Sequence, residues 1–92
     1  MYTPYYAKSF KRSLKKLEKS GNLKRSKIEF VIDTLSKGES LSIHYKDHRL
    51  MGDWLGYREC HIEPDLLLIY TIQKDILILL LADIGSHAEL FG

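Results

Sequence analysis

Three histidines and an aspartate, His48, His61, His87 and Asp65, are the side chains with which this sequence can move protons near neutral pH. Imidazole is the side chain whose ordinary titration falls between pH 5 and 8, and a carboxylate beside it stabilises its charged form. Two of these histidines and Asp65 fall within Tyr45 to Tyr70, YKDHRLMGDWLGYRECHIEPDLLLIY, with the only tryptophan, Trp54, and a Tyr57-Arg58 pair. His87 stands in the terminal GSHAELFG, four residues before Phe91. A proton-transfer group next to an aromatic that can stack on a base suits attack on a phosphodiester.

The elements that position these groups follow from periodicity. Tyr57 to Ile62 alternates as a strand, so Tyr57, Glu59 and His61 share one side and Arg58, Cys60 and Ile62 the other. Cys60 and Ile62 belong against the core, which turns Glu59 and His61 outward. Glu63-Pro64-Asp65 is a turn, and it places Asp65 within reach of His61, where a carboxylate–imidazole contact is expected. Leu66 to Ile72 is a near-continuous apolar run, the mark of a strand buried on both faces. After a turn at Gln73-Lys74-Asp75, Ile76 to Ala82 supplies the next strand. Ahead of this region, Glu39 to Gly56 has poor periodicity, and loops of that length in compact domains usually carry function.

The first part of the chain reads as scaffold. Tyr2 to Ala7, interrupted by Pro4, suits a short edge strand. Phe10, Leu14 and Leu17 mark a helix beginning near Ser9, with Gly21 as its stop. Ile28, Val31, Ile32 and Leu35 mark a second helix over about residues 23–37, ended by Gly38. The fold class expected is α+β: a hairpin of two N-terminal helices packed on one face of a mostly antiparallel sheet of about four strands, in a single domain spanning 1–92.

Length and charge narrow the function classes. The longest apolar run has seven residues against the ~20 of a membrane helix, and the N-terminus has no signal-peptide core. A single cysteine, Cys60, makes no internal disulfide and reads as a buried structural residue. A soluble, cytoplasmic protein is expected. Residues 1–38 hold ten lysines and arginines against three acids, whereas residues 39–92 hold four against nine. The basic front half suits a polyanion or an acidic partner, or is simply a solvated helix face. Ser86 and Glu89 have capping-box spacing, which would put His87 and Phe91 on the same side of a helical turn. The alternative is a frayed terminus with Phe91 tucked into the core. The histidines lack the spacing of a metal site, and His44 reads as a loop histidine without a partner.

The KDH-L-G-W run, the H-x-EPD motif and the SHA-x-LFG tail together closely resemble the YafQ-like toxins of the RelE/ParE superfamily, and the helical first half fits them in length and pattern. The resemblance implies a toxin of a type II toxin–antitoxin system: a ribosome-dependent endoribonuclease (mRNA interferase) that cuts translated mRNA without metal or cofactor. It implies an active site of His48, His61, Asp65, His87 and Phe91 on the concave sheet face, a cognate antitoxin as partner, and contact with ribosomal RNA and mRNA. Within that reading His87 and Asp65 serve as acid and base, His48 and His61 contact the phosphate, and Phe91 stacks on a base. Lys46, Arg49 and Arg58 are candidate phosphate contacts, although strand alternation puts Arg58 on the helix side unless a bulge re-aims it. The competing expectation is a ParE-like inhibitor of DNA gyrase that binds without cutting.

Overall fold

In the computed structural model, which describes residues 1–92, helix α1 (Lys8–Lys19) turns Phe10 into the core and keeps Leu14 and Leu17 partly buried. Its lysines face water. The helix ends at Ser20, and Gly21 takes the left-handed backbone (φ 76°) that a side chain resists. Helix α2 (Arg25–Ser36) buries Ile28, Val31, Ile32 and Leu35, one stripe at helical spacing. It starts at Arg25 rather than Leu23; Leu23 is left as a linker residue packed against the core.

Beneath the helices lies one sheet of five strands: β1 (Thr3–Tyr6), β2 (His48–Arg49), β3 (Arg58–Glu63), β4 (Leu66–Gln73) and β5 (Ile78–Gly85), in the order β1-β5-β4-β3-β2. The α+β class holds, with two corrections. The sheet has five strands, not about four, and it is mixed, because β1 runs parallel to β5 while the other pairings are antiparallel. The helices also make few direct contacts with each other. α1 lies along β5, where Ser13 Oγ donates to Asp83 Oδ1 (2.6 Å), while α2 reaches β1 and β3. They are two separate covers over one sheet face rather than a closely paired hairpin.

β4 is the buried centre. Leu66, Leu68 and Tyr70 join the helix-side core, whereas Leu67 and Ile69 point to the opposite face and are nonetheless 1% and 0% exposed. That opposite face therefore has an apolar floor. β5 starts two residues later than its apolar run suggests. Ile76 and Leu77 belong to the turn over 74–77, both exposed, with Leu77 at φ 56°. The apolar run is longer than the strand because the turn needs residues outside the ladder. A register shift between Ile69 and Tyr70 leaves Ala82 as the extra residue of a bulge, and β5 then continues to Gly85.

Candidate active site

The site is built on the sheet face that the helices leave open. Lys46 adopts a left-handed backbone (φ 49°) at the end of a 3-10 turn, Ile43–Tyr45. That bend brings its carbonyl back to accept from His48 Nδ1 at 2.7 Å. A carbonyl can only accept, so Nδ1 carries the hydrogen and the ring's Nε2 is left for the site. The β2–β3 register sets His48 opposite Glu59. One oxygen of Glu59 lies 3.7 Å from His48 Nε2 and 3.3 Å from His61 Nε2, and the two rings stand 6.5 Å apart between centroids.

Glu59 is thus the carboxylate of this pair of imidazoles, and sequence reasoning missed its role. The contact expected between His61 and Asp65 does not form. Strand alternation puts Glu59 and His61 on one face two residues apart, and His61 leans back over that neighbour. Asp65, across a register shift between His61 and Glu63, faces the end of β5 instead. Only the β2 pairing completes the group, and a two-residue strand leaves no periodic signal. Glu59 is 5% exposed; a carboxylate so enclosed needs partners to offset its lost hydration, and the two imidazoles lie where they can provide them.

Asp65 organises the second half of the site. Its Oδ1 accepts the backbone N–H of His87 at 3.1 Å, so a turn residue holds the first residue of helix α3 (His87–Phe91). The expected capping box forms. Ser86 Oγ accepts from the Glu89 N–H (3.2 Å), and Glu89 Oε1 accepts from the Ser86 N–H (2.8 Å). The backbone hydrogen bond from Ser86, with its side chain adding to it, holds the Glu89 carboxyl below the usual carboxylate range. A Cβ at Gly85 would stand 3.0 Å from Glu89 Oε1 and press on the capping carboxylate. The His87 and Phe91 rings stand 5.2 Å apart and tilted by 46°. Phe91 is 36% exposed, so the alternative in which it is tucked into the core does not occur.

The ladder joins the two halves. His61 pairs with Leu67, and Leu67 with Gly85, two residues before His87. Leu67 is the floor between them.

The three candidate phosphate contacts separate. Lys46 and Arg49 are exposed beside His48. Arg58 is not re-aimed. It stays on the helix side, where Nε and Nη2 donate to the two oxygens of Asp47 at 3.3 and 3.4 Å. Burial works against its charge, yet Asp47 more than offsets it and the guanidinium is held more firmly protonated. Its fork is closed on Asp47 rather than open to a phosphate. Tyr70, whose hydroxyl also donates to Asp47 (2.7 Å), has its phenol pushed up by burial and by that carboxylate, so it remains a donor. His44 lies exposed in the 3-10 turn and lines a groove of about 550 Å³ with Lys46 and His61. Cys60 is fully buried, and burial pushes its thiol up, away from the thiolate a nucleophile or metal ligand needs. No three His, Cys, Asp or Glu side chains take up the geometry of a metal cage.

The chain is similar to known proteins over nearly its whole length. The mRNA interferase toxin YafQ of Escherichia coli is 37% identical over 91 residues, covering 99% of this chain and 92% of the relative. A putative toxin YafQ of Haemophilus influenzae is 41% identical over 88 residues, covering 91% and 86%. Among solved structures, a metal-bound toxin from Helicobacter pylori is similar with a TM-score of 0.92 at 42% identity, over 99% of this chain and 100% of that one. YafQ in the E. coli DinJ–YafQ complex gives 0.87 at 32% identity, over 100% of both chains. Residues 2–92 match the family described as the bacterial toxin of type II toxin-antitoxin system, YafQ, and the chain belongs to that family.

Proposed function

We propose that this chain is the toxin of a type II toxin–antitoxin pair and a ribosome-dependent endoribonuclease that cuts translated mRNA. One observation carries the reading. Glu59 stands between the His48 and His61 rings on the sheet face opposite the helices, and Asp65 holds the backbone N–H of His87, whose ring lies 5.2 Å from the exposed Phe91. The E. coli relatives named mRNA interferase support the activity, and the DinJ–YafQ complex supports a cognate antitoxin as partner.

RNA carries its own nucleophile. The 2′-hydroxyl attacks the adjacent phosphorus, the P–O5′ bond breaks, and the products are a 2′,3′-cyclic phosphate and a 5′-hydroxyl. The protein must take the 2′ proton, return one to the 5′ oxygen, hold the three atoms in line and offset charge on the phosphorane. His87 and Asp65 serve as the acid and base. His48 and His61, flanking the Glu59 carboxylate, face the phosphate. Phe91 stacks on a base near the cut, a contact worth ~1–3 kcal/mol in single-strand recognition. These transfers need no metal or cofactor, and Lys46 and Arg49 supply cations beside His48. The basic face of α1, with Lys8, Lys11, Arg12, Lys15, Lys16 and Lys19, docks on ribosomal RNA.

The test is to add the purified chain, untreated or treated with EDTA and then desalted, to a translating extract and to map and end-group the mRNA fragments. The reading predicts cuts only in translated message, 2′,3′-cyclic phosphate ends, and the same rate for the EDTA-treated and untreated chain. Intact message, together with inhibited DNA supercoiling, would instead favour a gyrase inhibitor.

A further inference from the structure

His48 is held from below by side chains that have no part in the chemistry just described. Lys46, Asp47 and His48 alternate about the left-handed bend. The Lys46 carbonyl holds His48 Nδ1, while the Asp47 side chain goes the other way, through the sheet edge to the helix side. There Oδ1 accepts from the Tyr70 hydroxyl (2.7 Å) and from Arg58 Nε (3.3 Å), and Oδ2 from Arg58 Nη2 (3.4 Å). Tyr70 is 1% exposed in the centre of β4, and Arg58 is its partner across the β3–β4 ladder. The anchor is thus fixed to two strands that do not move independently.

The segment it anchors has few backbone bonds to the sheet. β2 is two residues long, one further backbone bond joins Leu50 N to Tyr57 O, and the stretch from residue 39 to 57 otherwise consists of 3-10 turns and bends. Tyr45, just before the bend, packs on the core and stacks on Phe30 at 6.4 Å, while Asp47 supplies the side-chain hydrogen bonds just after it. Without the Asp47 contacts the bend is held on one side only, and the Lys46 carbonyl that selects the His48 tautomer is free to shift.

We infer that Asp47, clamped by Tyr70 and Arg58, is a positioning residue that sets the ring orientation and the Nδ1–H tautomer of His48. Only the catalytic consequence of this assignment rests on the nuclease reading. The structural consequence can be measured without RNA.

The experiment compares wild type with Asp47→Ala and Tyr70→Phe. Long-range proton–nitrogen NMR spectra of the histidine rings report the tautomer, and cleavage of ribosome-bound mRNA reports kcat and KM. Wild type should show His48 with hydrogen on Nδ1 at a pH where the ring is neutral. In Asp47→Ala that signature should give way to a mixture or to Nε2–H while the backbone amide spectrum of the sheet persists, and kcat should fall at least about tenfold with KM changed less than about threefold. If Asp47→Ala does not fold, Tyr70→Phe carries the test, since it removes one donor and leaves Arg58 in place; a partial shift of the His48 ring signals is expected. Nδ1–H signals and kcat unchanged in the folded variant, or ring signals unchanged in Tyr70→Phe where that variant carries the test, would overturn the assignment. If wild type itself cuts no RNA, the nuclease reading fails while the tautomer comparison still decides the role of Asp47.

Discussion

Glu59 and Phe91 make opposite demands on their surroundings. Glu59 is a buried anion next to two imidazoles, so replacing it by an uncharged isostere changes both rings at once. Glu59→Gln should lower single-turnover cleavage by tenfold or more, about 1.4 kcal/mol of barrier, with near-unchanged binding to ribosomes measured by co-sedimentation. Phe91 is half-exposed beside His87 and is available to a base. Phe91→Ala should weaken mRNA engagement by the ~1–3 kcal/mol of a lost stack, roughly 5- to 150-fold, seen as a raised KM on message-loaded ribosomes. At this scale the sequence assigned the wrong carboxylate to His61. Proximity along the chain favoured Asp65, whereas the partner was set by strand alternation and by a two-residue strand visible only in three dimensions. Arg58 shows the same lesson from the other side. Alternation placed it under the sheet, and there it met Asp47 from a loop whose course no local pattern announced.

At the scale of elements, α3 is the part most exposed to conditions. Its start is fixed by the Ser86–Glu89 capping box and by the Asp65 bond to the His87 N–H. The Glu89 carboxyl is held below its ordinary range, chiefly by the Ser86 backbone N–H. A depressed carboxyl stabilises the folded form above its unfolded pKa of ~4.3 and loses that contribution as pH falls through the lower folded value. α3 should therefore stay ordered at neutral pH and fray in acid below ~4, with faster amide exchange at Glu89 and Leu90 while β4 remains protected. Replacing the cap, Ser86→Ala, should cost ~1 kcal/mol of local helix stability and reduce cleavage in proportion to the fraction frayed. The cap was legible because Ser and Glu three residues apart are a local signal. β1 was legible as a strand but its parallel pairing with β5 was not, since the partner is more than seventy residues away. β5 was placed two residues early because Ile76 and Leu77 look apolar although they serve the turn.

For the whole molecule, the division of charge is the feature that the architecture turns to use. The basic first part forms α1 and α2 on one side of the sheet, and His48, Glu59 and His61 lie on the other. If the lysine face of α1 docks on ribosomal RNA, affinity should fall linearly in log–log plots against salt. Each lysine reversed on α1 that contacts a phosphate should lower the slope by about one. The fold is least tolerant in β4. Leu68 is fully buried, and Leu68→Ala should cost about 2–5 kcal/mol in denaturant unfolding, whereas lysine changes on α1 should leave stability almost unaltered.

The most direct trial of the account separates holding the message from cutting it. His87→Ala, purified beside wild type, should bind programmed ribosomes with the same affinity and salt dependence, while its cleavage of the bound message falls by a factor of ~10²–10⁴, the usual contribution of a general acid or base. Cleavage by His87→Ala at the wild-type rate would contradict the account, because the open sheet face would then hold RNA without supplying the chemistry that breaks it.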